Sequence, residues 1–471
     1  MVITFNRREN SIIKLIRLLS IGMAVTCMVY AFDVDMGSPF WLLSLTHALG
    51  IFLLGNKNAP VSAPGIITLN LVMFCRYQVV PLAIYGSQRL SRYSINKLYM
   101  TEAVWFMLAE MICILIVLGV TGSNLHRRRE HLKMKPISHL FIQQNKSFIF
   151  LLLLLVLVGI AFQFPSLVSG FSLITEGSLE VTTRESGFSG IIDMVWRSGL
   201  VWIYLYALSV IRDRDPSGQH SVLLIVGTTL VYILFTFILN IAISRWYSIV
   251  CFASALFFIG KLFPLVQRKV YVWSGLPVVV VVVIVSVYKN TAFMGQESVA
   301  IISAVVELFD SSTLDIYFAG PGCVNNGLNL LYSGKGDILS LPLDTLRNMP
   351  LINHYIDDTN STVELYASLI HRGDMIVPLA IQSSIYFSPI LFGALSIIAV
   401  LLIRKMDEKY LLADNVWAFI YGFIAVWVGL IFILNYTVCV SWLYAYIIPM
   451  AVLFVFTTNL RHPAQPQPSE M

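Results

Sequence analysis

Long apolar runs recur about a dozen times along this chain and leave it few ways to fold. A run of about 18 or more apolar residues can cross the roughly 30 Å hydrocarbon core of a bilayer as a helix. Such runs lie near 15–33, 37–55, 64–86 and 99–121, then near 147–170, 191–211, 221–241, 246–263 and 271–289, and last near 376–403, 411–434 and 438–459. Of the 471 residues, 57% are hydrophobic and 12% charged, where a soluble domain carries about 25% charge. Lipid is therefore the expected solvent for most side chains. In hydrocarbon a backbone must satisfy its own polar groups, which helices do. The expected fold class is an all-α integral membrane protein with about twelve transmembrane helices. The expected division is nine helices over 1–289, one large loop with amphipathic helices over 290–375, three helices over 376–459, and a tail over 460–471.

Orientation follows from where Lys and Arg fall, since they favour the cytoplasmic ends of spans. With the N-terminus inside, most of the 31 basic residues lie on that side. They include Arg127 to Arg129, Arg212, Arg214, Lys261, Arg268, Lys269, Arg404 and Lys405. Arg89, Arg92 and Lys97 dissent without reversing the sign. Both termini are thus expected in the cytoplasm and the large loop on the opposite face. The net charge of +5 needs no nucleic-acid partner. The six cysteines form no C-x-x-C pair, so neither a disulfide framework nor a zinc site is expected. No phosphate-binding loop, dinucleotide glycine motif or Asp-x-Asp metal signature is present, so the expectation is no cofactor and no metal.

The informative residues are arginines placed by the topology in the outer half of the bundle: Arg76 in the third span, Arg197 in the sixth, and Arg245 at the junction of the seventh and eighth. Arg184 lies in the loop before the sixth span and Arg372 in the large loop before the tenth. Charge inside a membrane is costly and marks function by default, and guanidinium forks match phosphate oxygens in pairs. These arginines, with Tyr366, are therefore expected to meet a lipid-linked diphosphate. Plainer roles compete: Arg197 pairs with Asp193 one turn earlier, Arg184 is a solvated loop charge, and Glu110 and His47 bond between helices. Glu364 and His371 lie seven apart in Thr362–Gly373 and would share a face if that stretch is helical. Beside Arg245 and Arg372, either is a candidate general base, and the competing role is a solvated helix end.

Taken together, the layout resembles the bacterial O-antigen polymerase (Wzy-type) family, which shares its architecture with O-antigen ligases. The resemblance rests on about twelve spans with a large loop before the last three, and on Ser244-Arg245 opening a span. It also rests on Tyr317-Phe-Ala-Gly-Pro-Gly322 followed by Asn325-Asn326-Gly327, and on Thr362 to Gly373 closing the loop. The ligase-type His-Asn pair before the tenth span is absent, since Arg372 follows His371. The resemblance implies a GT-C-like glycosyltransferase of the bacterial inner membrane. It would join undecaprenyl-diphosphate-linked oligosaccharide repeats on the periplasmic face, with membrane lipid and a chain-length regulator as further partners. Ligation of a finished chain and transport of the lipid-linked glycan are the alternatives.

Overall fold

A computed structural model describes residues 11–34, 37–54, 63–90, 98–128, 134–137, 146–163, 188–240, 245–293, 306, 308–334, 340–349, 352, 356, 361–370 and 376–457. Every regular element among them is helical. The first group is α1 (Ser11–Asp33), α2 (Trp41–Leu54), α3 (Pro64–Phe74), α4 (Val80–Ser87), α5 (Met100–Arg128) and α6 (Lys146–Gln163). It is followed by α7 (Phe188–Arg214), α8 (Val222–Asn240), α9 (Arg245–Leu262) and α10 (Gln267–Phe293). Four short helices occupy the expected large loop: α11 (Ser311–Tyr317), α12 (Pro321–Tyr332), α13 (Ser340–Arg347) and α14 (Thr362–Ile370). The chain closes with α15 (Leu379–Tyr386), α16 (Ala394–Leu412), α17 (Trp417–Gly429), α18 (Tyr436–Trp442) and α19 (Ile448–Thr457).

Among the described residues, seven helices are long and apolar enough to cross a membrane: Lys14–Asp33, Pro64–Ser87, Met100–Gly122, Met194–Arg214, Gln267–Ile284, Pro389–Leu412 and Tyr436–Val455. Five shorter apolar helices, Trp41–Leu54, Leu151–Ile160, Val222–Phe237, Trp246–Leu262 and Trp417–Ile433, fall on the remaining apolar runs. The tenth run differs from its expected bounds. Residues 376–386 do not extend α16; Leu379–Tyr386 form the separate, wholly buried helix α15, and a 3₁₀ turn at Pro389–Leu391 precedes α16. Pro389 explains the break, because it cannot donate within a helix and pushes Ser388 out of the helical region, while Pro378 marks the start of α15.

Among the described residues, two of these apolar helices carry a π turn, at Cys75–Val79 between α3 and α4 and at Leu443–Ile447 between α18 and α19. Each is followed by one residue and then a proline, Pro81 or Pro449. A proline ring crowds the carbonyl four residues back and leaves it without a donor; a widened turn relieves both. Such π bulges occur often at functional sites.

One end of the bundle is tied by side chains on main-chain groups. The Asp407 carboxylate of α16 accepts from the Gly65 and Ile66 amides at 2.8 and 3.0 Å, at the start of α3. Lys261, at the end of α9, donates to the carbonyls of Tyr410, Leu411 (3.2 Å) and Ala413 (2.6 Å), where α16 ends. A carboxylate at a helix start and an ammonium at a helix end satisfy groups that the helices leave bare. Arg404 donates to the Leu118 carbonyl and Arg212 to that of Ile137. These basic residues therefore share one end of the molecule.

At the other end, α11 and α12 form a hairpin that enters the bundle. Ser311 Oγ, at the start of α11, donates to the Arg89 carbonyl at 3.3 Å, and Tyr332, at the end of α12, donates to Glu102 at 3.1 Å. Between them α11 packs on α4 and α12 on α5. From Tyr332 back to Pro321 the helix descends about 16 Å at 1.5 Å per residue. The large loop therefore re-enters the bundle, which backbone tolerates at membrane depth only when buried in protein. The residues from Pro321 to Leu328 are all buried.

Candidate functional site

The tip of the hairpin meets Arg76. Asp315 Oδ1 accepts from the Gly322 amide at 2.9 Å and the Asp315 carbonyl from the Gly320 amide at 2.8 Å. The Ala319 amide donates to Ile316 at 3.4 Å, with Ala319 left-handed at φ 46°. This is the Schellman pattern of a helix end with alanine where glycine is usual. A Cβ on Gly320 would lie 2.5 Å from Asp315 Oδ1 and 2.9 Å from Val80 Cγ1, so only glycine fits there. Arg76 Nε donates to the Ala319 carbonyl at 3.1 Å. Its Nη2 lies 3.0 Å from Glu110 Oε2, with both side chains at 0% exposure, and Glu110 Oε1 accepts from Ser396 Oγ at 2.8 Å. Arg76 is enclosed on both sides. Its charge faces Glu110 and its remaining bond holds the hairpin tip. Glu110 bonds between helices in line with its plainer role, and so does His47, whose Nδ1 lies 3.1 Å from Gln78 Nε2.

Arg197 sits in a different setting. Its Nη1 donates to the Tyr446 hydroxyl, and its guanidinium carbon lies 5.1 Å from the Tyr446 ring centre and 5.7 Å from that of Tyr247. The two rings stack at 4.0 Å and 22°. Trp442 stands edge-on to both, at 6.0 and 6.3 Å. Tyr446 belongs to the second π turn. Tyr247 is the third residue of α9, two after Arg245. The structure thus brings the backbone position of Arg245 to the helix junction that Arg197 occupies. The Arg245 side chain lies outside the described residues, as do Arg184, His371, Arg372 and the Asp193 side chain.

The loop residues separate. Glu364 is exposed in the first turn of α14, and its amide donates to Ser361 Oγ at 3.1 Å. Ser361-x-x-Glu364 has the spacing of a capping box, and the Ser361 half of it is made. Tyr366, two residues on, faces the opposite way. It is buried and donates to the Cys323 carbonyl at 2.9 Å. Burial, followed by the neighbouring Cys323 and Asp315, pushes its pKa well above the usual tyrosine value, so it stays a donor. Tyr366 fastens α14 to the hairpin. α14 is described as far as Ile370, one residue short of His371.

Asp344 is a hub that sequence reasoning missed. It is fully buried and accepts from Tyr386 at 2.8 Å, Arg347 at 3.0 Å and the Thr362 amide at 3.3 Å. Asn435 and Gln382 complete the seam: Asn435 Oδ1 accepts from the Val377 amide at 2.6 Å and Gln382 Oε1 from the Tyr436 amide at 2.9 Å. Val377, just after the undescribed segment 371–375, is thereby pinned to the start of α18. No cluster of three or more His, Cys, Asp or Glu among the described residues could hold a metal ion.

No protein-family model, characterised protein or solved structure matches this chain.

Proposed function

We propose that this protein polymerises lipid-linked oligosaccharide repeats at the outer face of a bacterial inner membrane. The observation that carries the reading is the meeting of Arg197 and α9. Arg197 packs on Tyr247, two residues from Arg245, so a buried cation braces the helix turn that carries the arginine assigned to the diphosphate. In this reading the chain spans the bilayer about twelve times in a GT-C-like arrangement with both termini inside. The basic end tied by Lys261, Arg404 and Arg212 faces the cytoplasm, in keeping with the distribution of positive charge.

The donor is a glycan on undecaprenyl diphosphate and the acceptor a second lipid-linked repeat. The acceptor hydroxyl oxygen bonds to the donor's anomeric carbon as the bond from that carbon to the diphosphate oxygen breaks. Undecaprenyl diphosphate departs with the electron pair, and the hydroxyl proton passes to His371 or Glu364. Arg245 and Arg372 stabilise the charge on the leaving diphosphate, the role preorganised cations serve best. Arg76, closed against Glu110, holds the re-entrant hairpin and has no part in the chemistry. The leaving group drives the reaction, so no nucleotide enters.

Arg245→Ala and Arg372→Ala in the native strain are expected to reduce the surface polysaccharide to single repeats, with the protein still present in the membrane. Normal long chains in both variants would remove this reading. Loss of a ligase would instead leave long chains stalled on the carrier lipid. A second reading, transport of the same lipid-linked glycan, draws on the two π-broken spans and the re-entrant hairpin, because transporters build their sites from interrupted helices. Lipid-linked repeat trapped on the cytoplasmic face of a deletion strain would favour it.

A further inference from the structure

We infer that Arg197 positions Arg245 by clamping the first turn of α9 and does not take up the phosphates itself. The inference rests on the polymerase reading for its catalytic consequence, while the clamp rests on geometry alone. Arg197 is 4% exposed, Tyr247 3% and Tyr446 5%, so the guanidinium lies beneath the surface a headgroup would touch. It reaches across three elements: it is carried by α7, rests on Tyr247 of α9, and donates to Tyr446 of the second π turn. The widened turn that carries Tyr446 is followed by one residue and then Pro449. On its next residue α9 is held a second time, where Ser248 Oγ donates to the Thr236 carbonyl at 3.0 Å. The first turn of α9, and with it the Cα of Arg245, is thereby fixed from two sides.

The chemistry of the clamp requires a guanidinium. Its planar group stacks on a ring face and donates in its own plane at once, whereas an ammonium is a compact, strongly hydrated charge that does neither well in a dry site. Arg197→Lys therefore keeps the charge and loses the clamp. Tyr446→Phe keeps the stack and loses the hydroxyl.

Two measurements on the full-length protein in lipid test this. In hydrogen exchange, Arg197→Lys and Tyr446→Phe are expected to speed exchange at residues 248–252 while α5 keeps its wild-type rates. Unchanged exchange at the start of α9 would overturn the clamp whatever the protein catalyses. In proteoliposomes supplied with purified lipid-linked repeat, Arg245→Ala is expected to slow polymer formation by about 10²–10³-fold, the usual cost of removing a group that stabilises leaving charge. Arg197→Lys should slow the wild type but not the Arg245→Ala variant, because a residue acting through another adds nothing once that other is gone. Multiplied losses in the double variant would assign Arg197 its own contact with substrate and defeat the positioning role. A wild-type protein that forms no polymer would end the polymerase reading, and the exchange result would still decide the clamp.

Discussion

Arg76 and Arg197 are both buried cations on helices apolar enough to cross a membrane, Arg76 within one π turn and Arg197 bonded to the other, and they are held in opposite ways. Arg76 meets a carboxylate at 3.0 Å and a backbone carbonyl, in a site with no exposure on either partner. Arg197 meets aromatic faces and a phenol. An ion pair in a medium of low dielectric is strong but unyielding, since separating the partners strands two charges. A ring face attracts a cation less strongly and leaves its orientation to the hydroxyl beside it. The first arrangement suits an anchor for the hairpin, and the second suits a joint that sets the angle of one helix on another. Depth and residue type, the two properties readable from sequence, are alike for both.

The sharpest way to break this comparison is to remove one member of the ion pair. Glu110→Ala should destabilise the protein by about 3–5 kcal/mol, because an uncompensated guanidinium is left in the core. Arg76→Met combined with Glu110→Leu should recover most of that loss. Thermal unfolding in detergent reads both, and a single variant no worse than the double would show that Arg76 is not an anchor. A smaller effect is expected on the aromatic side. Tyr247→Leu removes a stacked ring and a cation–π contact worth about 1–3 kcal/mol together, and the loss should spare the hairpin when mapped by hydrogen exchange. Smallest is a gain: Ala319→Gly should stabilise by about 0.5–1 kcal/mol, since glycine takes φ of 46° without strain. A loss on that substitution would mean that the Ala319 methyl packs at the tip more than its backbone is strained.

The apolar runs were legible because lipid imposes one rule along the whole chain, and each long or short apolar helix fell on an expected run. The prolines behind both π turns were equally visible, but their consequence was not, because a proline can end, kink or widen a helix according to what packs beside it. Residues 311–332 read as loop since neither arm of the hairpin is long enough to span. Their burial depends on α4 and α5, far away in sequence. Glu364 and Tyr366 looked like neighbours of one site because they lie two apart. On a helix that spacing turns them to opposite sides, Glu364 exposed and Tyr366 bonded to the Cys323 carbonyl.

Composition and periodicity alone determined that this chain is helical, where its apolar helices lie, and which of its ends is rich in positive charge, because each follows from transferring local segments between water and lipid. Only the tertiary structure decided that Arg76 closes on Glu110 while Arg197 lies on Tyr247 and Tyr446, and that the large loop dips back among the helices. Those outcomes turn on which distant groups come within about 3 Å of one another, the range over which a hydrogen bond or ion pair acts.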